Sequence, residues 1–342
     1  MSTQKEFLRN FEVHGDGHPV DPNSFMLLPA MNIPGMRVRW AAENKVSQSV
    51  LLKVHGGLGD QICAEPTVRF AVETLKDVEI SLLAMTPELY SHIPFKKVYE
   101  KGDYPNLGEH LIFDLFAQQD YFILNYIKHE HCHCVDFSCL VAFQGMVPQE
   151  FRQINLKPSE ESFAKIEPHA GPDKVVVHCG KSWQSKTFPN WWWNRVLARL
   201  KEKSAVPILI GKSENPNSVT GMIEGIDIEG CIDLRDKLQI METVALLQKS
   251  KVLLTNDSSP MHMAASGDAW IGFVTMARRP EFLTHTRHGQ FGWRMENMSR
   301  DGIWSKKDVY LKAGHIEEIG DELRDSRLPT PEAFADWGID RL

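Results

Sequence analysis

The sequence predicts an α/β fold with two doubly wound domains, each built on a parallel sheet. Short apolar runs rich in β-branched residues alternate with helical segments, which is the order of strands joined by crossover helices. Two of these runs, within residues 50–60 and 251–265, end in a glycine-rich or polar turn before a helix. A chain of 342 residues also exceeds what one average core needs, so two domains are expected.

The composition is that of a globular protein, with 42% hydrophobic and 24% charged residues. The net charge of −7 gives no global support for nucleic-acid binding. No apolar run reaches the roughly 18 residues of a membrane span, and the polar start Met1–Glu6 lacks the apolar core of a signal peptide. Six cysteines in a chain of this size do not make a disulfide framework, so a reducing, cytoplasmic location is expected.

We divide the chain into four segments. Residues 1–47 contain several prolines and form an extension, with one strand expected near Met36–Trp40. The proline-containing, charged stretch Pro148–Pro172 is a plausible connection between domains. The predicted segments are the extension 1–47, a first domain at 48–160, a second domain at 161–330 and a tail at 331–342.

In the first domain, the strand Val50–Val54 runs into the turn His55–Asp60 and a helix through Val72. Asp60 lies where the helix begins, at the carboxyl end of a central strand, where open α/β sheets bind ligands. The alternative is that Asp60 caps the helix. Further strands are predicted at 78–85, near 98 and at 111–115, with a short helix at 87–92.

In the second domain, apolar runs predict strands at 174–178, 206–210, 251–255 and 270–274, and helices at 190–203 and 240–248. The loop 179–186 after the first of these strands is polar and contains two lysines. Such a loop is suited to an anionic ligand.

The stretch Asn256–Ala265 reads as a tight polar turn followed by the start of a helix. Ser258 or Asp257 could cap this helix, and Pro260 suits its first turn. Helix starts bind phosphate through unpaired N–H groups, while Asp257 could orient His262 or bind a ligand hydroxyl. The alternative is an ordinary capped helix with a structural histidine. Together with the lysines of the loop 179–186, the hydroxyls and the helix start of this stretch are suited to binding a diphosphate.

Three other features have plainer interpretations. The run His129–Cys134 could hold a metal, but zinc ligands usually come from two separated motifs, so a solvated histidine-rich segment is favoured. The run Trp191–Trp193 is interpreted as packing. A set of arginines could form a phosphate-binding face or a solvated surface. Its members are Arg278, Arg279, Arg287, Arg294 and Arg300.

The chain resembles glycosyltransferase family nine, the heptosyltransferase group, over about residues 50–280. The resembling segments are Gly56-Gly-Leu-Gly-Asp60 with Pro66, Lys186-Thr-Phe-Pro189 with Trp193, Asp233-Leu234, and Asn256 to Ala265. The resemblance implies the GT-B fold, in which two Rossmann-like domains face a central cleft. It makes 48–160 the acceptor domain and 161–330 the nucleotide-sugar donor domain.

The resemblance also implies an inverting, metal-independent transfer from a nucleotide-diphosphate sugar to an acceptor hydroxyl, without a further cofactor. Asp60 matches the general base, and Lys186 matches the lysine that neutralises the donor diphosphate. The residues implied to bind substrate are Gly57, Gly59, Lys181, Ser182, Lys186, Asp257, Ser258, Ser259 and His262.

Three departures from the family pattern bear on substrate identity. Ser259 stands where glycine is usual, Gly57 stands where a basic or small polar residue is common, and about 47 residues precede the first strand. The acceptor is therefore either a lipopolysaccharide core-like glycan or a hydroxymethylated base in phage DNA. The alternative function is a nucleotide-sugar-binding protein or an epimerase on the same fold, which has no need of Asp60 opposite a phosphate site. The sequence indicates no oligomeric state.

Overall fold

The computed structural model describes residues 49–75, 78–99, 111–115, 133–143, 146–180, 186, 188–213, 225–275, 280–299, 311–312, 315–316 and 328–342. The chain divides into two compact units. The first unit comprises residues 1–157 and 281–291, and the second comprises 158–280 and 292–342. The chain thus leaves the first unit after Lys157 and returns to it for one short segment. The strand expected near Met36–Trp40 lies outside the described residues.

The first unit contains a four-stranded parallel sheet in the order β3-β2-β1-β4. Its strands are β1 Ser49–Val54, β2 Glu79–Ala84, β3 Lys97–Tyr99 and β4 Leu111–Asp114. The apolar run of β1 is almost wholly buried, as expected for a parallel strand covered on both faces. Helix α1, Leu58–Thr74, follows β1, and helix α2 spans Asp136–Phe143. The returning segment forms the hairpin of β10 Thr286–Arg287 and β11 Gln290–Phe291.

Two buried carboxylates attach the helices of the first unit to the segment 146–157. Glu65 of α1 accepts hydrogen bonds from Arg69 Nε at 2.7 Å and from the Asn155 amide at 3.0 Å. Asp136, at the start of α2, forms two 2.8 Å hydrogen bonds with the guanidinium of Arg152, and both side chains are buried. Removing one partner of such a pair leaves an uncompensated buried charge, which costs about 3–5 kcal/mol.

The second unit contains a six-stranded parallel sheet in the order β12-β9-β8-β5-β6-β7. Its strands are β5 Lys174–His178, β6 Val206–Leu209, β7 Ile232–Asp233, β8 Val252–Asn256, β9 Trp270–Val274 and β12 Met295–Asn297. Counted from β5, this is the 3-2-1-4-5-6 order of the Rossmann fold, and the first unit repeats its 3-2-1-4 part. The doubly wound architecture predicted from the sequence is confirmed.

The helices of the second unit cover this sheet. They are α3 Glu160–Ile166, α4 Asn190–Glu202, α5 Ile240–Lys249, α6 Ser259–Ala264 and α7 Pro331–Ile339. A further hairpin pairs β13 Leu311–Lys312 with β14 His315–Ile316. Residues 331–342, set apart from the sequence as a tail, contain α7, whose Phe334 packs against Trp192 of α4 in the core of this unit. Trp191 is exposed while Trp192 and Trp193 are buried, so the packing interpretation of this run is confirmed.

Two surface interpretations are wrong for the residues that the structure describes; residues 129–132 of the histidine-rich run lie outside them. His133 and Cys134, at the end of the histidine-rich run, are buried rather than solvated, because the returning segment covers them: the Cys134 amide donates to the Phe282 carbonyl at 3.0 Å. Arg287 is fully buried in β10, so it does not belong to an exposed basic face. Among the described helices, none is both long enough and apolar enough to cross a membrane.

Candidate functional site

The candidate site of the second unit lies at the carboxyl ends of β5 and β8. These two strands are paired, with His178 opposite Thr255. From β5 the chain continues to β6 on one side, while β8 lies on the other, so the strand order reverses between β5 and β8. Open α/β sheets bind ligands in the crevice at this reversal.

Asn256, the last residue of β8, fastens the loop that follows β5. Its buried amide nitrogen donates to the Gly180 carbonyl at 2.9 Å and to the Lys186 carbonyl at 2.6 Å. A buried amide with both N–H groups used is costly to replace, since the loss of either bond leaves a buried polar group unsatisfied. Asn256 therefore fixes Lys186 beside the turn after β8.

Lys186 and Asp257, which the sequence assigned separate roles, form an ion pair. The Lys186 ammonium lies 2.8 Å from Oδ2 of Asp257, whose side chain is only 2% exposed, whereas that of Lys186 is 22% exposed. The arrangement places a partly exposed ammonium, paired with a buried carboxylate, at the strand reversal.

His178, the last residue of β5, belongs to the same cluster. Its Nδ1 lies 3.0 Å from the Ser258 hydroxyl and 3.4 Å from the Thr255 hydroxyl. Burial lowers the pKa of His178 to about 4, against the opposing effect of a hydrogen bond with Asn256. The imidazole is therefore neutral at pH 7, with one nitrogen as donor and the other as acceptor.

Gly180 gives the His178 ring its space. A Cβ added at Gly180 would lie 2.2 Å from Cε1 of His178 and 2.9 Å from Oδ1 of Asn256. Both neighbours are held by hydrogen bonds, so neither can move away at low cost. From the sequence, His178 is predicted in a strand and Gly180 in a loop, and neither is assigned to the site. The signal that could have found them is a polar residue at a strand end with a glycine two residues later.

The turn after β8 leads into a helix of only six residues, α6. Ser258 is its N-cap residue, but its side chain makes no capping hydrogen bond, because it is engaged with His178 and Thr255 instead. Ser259 is the first helical residue and has ordinary negative φ, so this turn does not require the glycine of the family pattern. His262 is buried, at 6% exposure.

The first unit places Asp60 at the matching edge of its own sheet, after β1 and beside the β1–β4 reversal. The expectation that Asp60 caps α1 was wrong: Gly57 is the N-cap residue, and Asp60 lies in the first helical turn with an exposed side chain. Gly59 lies in the same helical turn. Gly56 takes φ +99°, which only glycine adopts easily. The side-chain amide of Gln61 donates to the Gly56 carbonyl at 3.1 Å and so stabilises the turn.

The remaining predicted residues either lie outside the described residues or make other contacts. Lys181 and Ser182 lie outside the described residues, as do Arg278, Arg279 and Arg300. Asp233 is held by Arg235 through hydrogen bonds of 2.8 and 2.9 Å, and these hydrogen bonds lower the pKa of its carboxyl group. Arg294 lies over the Trp293 ring, 4.2 Å from its centroid.

Comparison with known proteins supports the sequence resemblance. The sequence model of glycosyltransferase family 9 (heptosyltransferase) matches residues 130–270. The solved structure of Escherichia coli ADP-heptose lipopolysaccharide heptosyltransferase II aligns over 84% of this chain and 99% of its own, with 14% identity and a TM-score of 0.54. The iron-containing dodecameric glycosyltransferase TibC of enterotoxigenic E. coli H10407 aligns over 85% of this chain and 75% of its own, with 14% identity and a TM-score of 0.57. No curated protein matches the sequence.

The family match contains the whole of the candidate site of the second unit, from His178 through Lys186 to His262. The structural likenesses extend over both units. The chain is therefore a glycosyltransferase with the GT-B fold, and its residues 130–270 form the part that matches glycosyltransferase family 9.

Proposed function

We propose that the protein transfers a sugar, with inversion and without a catalytic metal ion, from a nucleoside-diphosphate sugar to an acceptor hydroxyl. In this proposal the second unit binds the donor through Lys186, Asp257, Ser258 and Ser259, with Lys181 and Ser182 of the preceding loop. Asp60 of the first unit removes the proton of the acceptor hydroxyl.

The observation that carries the proposal is the Lys186–Asp257 pair at the β5–β8 reversal. An ion pair with a purely structural role could lie anywhere in the fold. A diphosphate bound at the strand reversal, in contrast, requires a cation at that reversal. Asp257 holds the Lys186 ammonium at this position, and the Lys186 side chain is the more exposed of the two. The neutral imidazole of His178 adds no charge, so it can position the Ser258 hydroxyl whether the site is empty or filled.

The chemistry assigns each group one task. A sugar hydroxyl is a weak nucleophile, and a carboxylate within reach of its proton activates it as the bond to the anomeric carbon forms. The bond to the diphosphate breaks at the same time, and the departing diphosphate carries the negative charge. Lys186 stabilises that charge as an ion of fixed position, a contribution that grows where water is excluded.

For the donor, we propose an ADP-heptose-like nucleotide sugar as the first to test, because the similar solved structures include an ADP-heptose heptosyltransferase and TibC in complex with ADP-D-β-D-heptose. For the acceptor, we propose a glycan hydroxyl. The buried position of Arg287 removes one member of the basic face that a DNA acceptor would use. With its six cysteines, the enzyme is proposed to work in the reducing cytoplasm.

The test is the change Lys186→Met, measured by calorimetric titration with ADP and with adenosine. Loss of a charged hydrogen bond to the diphosphate is expected to weaken ADP binding by about 1.5–3 kcal/mol, roughly 10- to 150-fold, while adenosine affinity is unchanged. Lys201→Met is the matched control, since Lys201 pairs with Asp227 at 3.0 Å in the same unit but away from the sheet reversal.

Equal losses for ADP and adenosine would remove Lys186 from the diphosphate site. The alternative function, a binding protein without transfer, predicts the same affinities but no release of nucleoside diphosphate when donor and acceptor are mixed. An epimerase would instead return a changed nucleotide sugar. Product analysis after incubation with a glycan acceptor and, separately, with hydroxymethylated DNA distinguishes these outcomes.

A further inference from the structure

Three metal-ligating side chains from distant parts of the sequence meet inside the first unit. They are Cys63 of α1, Cys134 just before α2, and His285 just before β10. One ligand atom from each, the two Sγ atoms and a ring nitrogen, lie within 4.8 Å of one another. Their residues are 5%, 8% and 0% exposed.

The backbone around these residues is itself well fixed. The Cys134 amide donates to the Phe282 carbonyl at 3.0 Å, and Nε2 of His133 lies 2.8 Å from the Thr284 carbonyl. The rings of His133 and His285 meet edge to face with centroids 5.6 Å apart. The segment containing Cys134 and the segment containing His285 are thus attached to each other at three points, which holds their ligand atoms close together.

The donor set selects the class of ion. Two thiolates and an imidazole suit thiophilic divalent ions such as Zn²⁺ or Fe²⁺, and disfavour Mg²⁺ and Ca²⁺, which prefer oxygen. Around Zn²⁺, with bonds of about 2.3 Å to sulfur and about 2.0 Å to nitrogen, the tetrahedral ligand atoms lie roughly 3.5–3.8 Å apart. Side-chain shifts of about 1 Å therefore convert the present cluster into a coordination shell.

We propose that Cys63, Cys134 and His285 bind one thiophilic divalent metal ion, with Zn²⁺ as the first candidate. The ion ties α1, the start of α2 and the returning segment 281–291 together, and it has a structural role. The proposal does not depend on the transferase activity, since none of the three residues takes part in the proposed chemistry. It also changes the interpretation of the histidine-rich run: Cys134 is a ligand whose partners lie far away in the sequence.

The test begins with elemental analysis of the full-length protein, purified under reducing conditions and dialysed against metal-free buffer. We expect about one ion per chain, and the element detected distinguishes zinc from iron. The double change Cys63→Ser/Cys134→Ser is expected to remove the ion. Cys231→Ser, a partly buried thiol of the second unit, is the control and should retain it.

A second measurement guards against misfolding of the double variant. The wild-type chain is treated with a chelator and then alkylated with or without added Zn²⁺, and each cysteine is quantified by mass spectrometry. Zn²⁺ should protect Cys63 and Cys134 at least tenfold and leave Cys231 unchanged, because a bound thiolate is a poor nucleophile. A chain with substoichiometric metal and no selective protection would overturn the proposal, as would a Cys63–Cys134 disulfide in the isolated protein. ADP titration of the same samples reports on the second unit separately.

Discussion

The two units begin their candidate sites in the same way, with a parallel strand and a turn into a helix, but they treat the polar residues of that turn differently. In the second unit, Asn256 and Asp257 are buried and engaged with the loop after β5. In the first unit, Asp60 is exposed at the start of a 17-residue helix. A buried turn that is held by hydrogen bonds and an ion pair is suited to binding a ligand in one orientation. An exposed carboxylate on a helix is suited to accepting a proton from a bound hydroxyl.

The largest effect that this comparison predicts is on the rate of transfer when Asp60 becomes Asn. A general base contributes about 10²- to 10⁴-fold, so single-turnover transfer should fall by that factor. Stability should change little, because Gly57 rather than Asp60 is the N-cap residue. Glu73→Gln, an exposed change on the same helix, is the control. A rate within a few-fold of wild type would mean that Asp60 is not the general base and only interacts with the dipole of α1.

The pH dependence of stability should differ between the units. The pKa of His178 is about 4 in the folded protein and about 6.5 when unfolded, so the unfolded state binds the extra proton between these values. Its contribution to stability is therefore complete above pH 6.5 and is lost as the pH falls towards 4. Between pH 7 and pH 5 this amounts to about 2 kcal/mol.

Hydrogen exchange measures this loss locally. Amides of β5 should lose more protection on acidification than amides of β1, and His178→Asn should abolish the difference. If the amides of β5 and β1 lose equal protection in both wild type and His178→Asn, protonation of the His178 imidazole is not coupled to the stability of the second unit.

Gly180→Ala should damage the second unit alone. The new methyl group would collide with the His178 ring, and overpacking of this kind costs about 1–3 kcal/mol. Gly171→Ala is the matched control in the same unit, since the atoms nearest to its added Cβ lie 3.1 Å away, on the Asp173 and Lys174 side chains, and not at 2.2 Å. Its cost should stay within about 0.5 kcal/mol in urea unfolding. Equal costs for the two variants would mean that the His178 ring is not tightly enclosed.

The smallest expected effect is that of added Mg²⁺ or Mn²⁺ on turnover. Lys186 supplies the charge that a metal would otherwise bring to the diphosphate, so the initial rate should stay within about twofold of the rate without added metal. A rise of tenfold or more would show that the leaving group needs a cation that the second unit does not provide.

The sequence predicted the strands, the two turns and the family resemblance, because these are local patterns of apolar runs, glycines and small polar residues. It did not predict the Lys186–Asp257 pair, since the contact depends on which strands are neighbours in the sheet. The same holds for His178, a single polar residue at a strand end, whose role comes from Ser258 on the adjacent strand's turn.

Besides these long-range contacts, the burial of several side chains could not be predicted from local sequence patterns. His133, Cys134 and Arg287 carry polar or reactive groups, and composition alone favours the surface for His133 and Arg287. All three are buried because segment 281–291 returns to the first unit. No pattern in the sequence indicates that return. The spacing of motifs therefore could not predict a ligand set that includes a residue of the returning segment, such as Cys63, Cys134 and His285.

In the proposed reaction the two units have separate tasks: the second binds the donor and the first removes the proton. The most direct test of this division is the affinity of one ADP-sugar for Asp60→Asn and for Lys186→Met, measured by calorimetry without acceptor. We expect a Kd within about twofold of wild type for Asp60→Asn and a Kd at least tenfold weaker for Lys186→Met. The reverse order, with Asp60→Asn losing donor affinity and Lys186→Met retaining it, would contradict this division between the units.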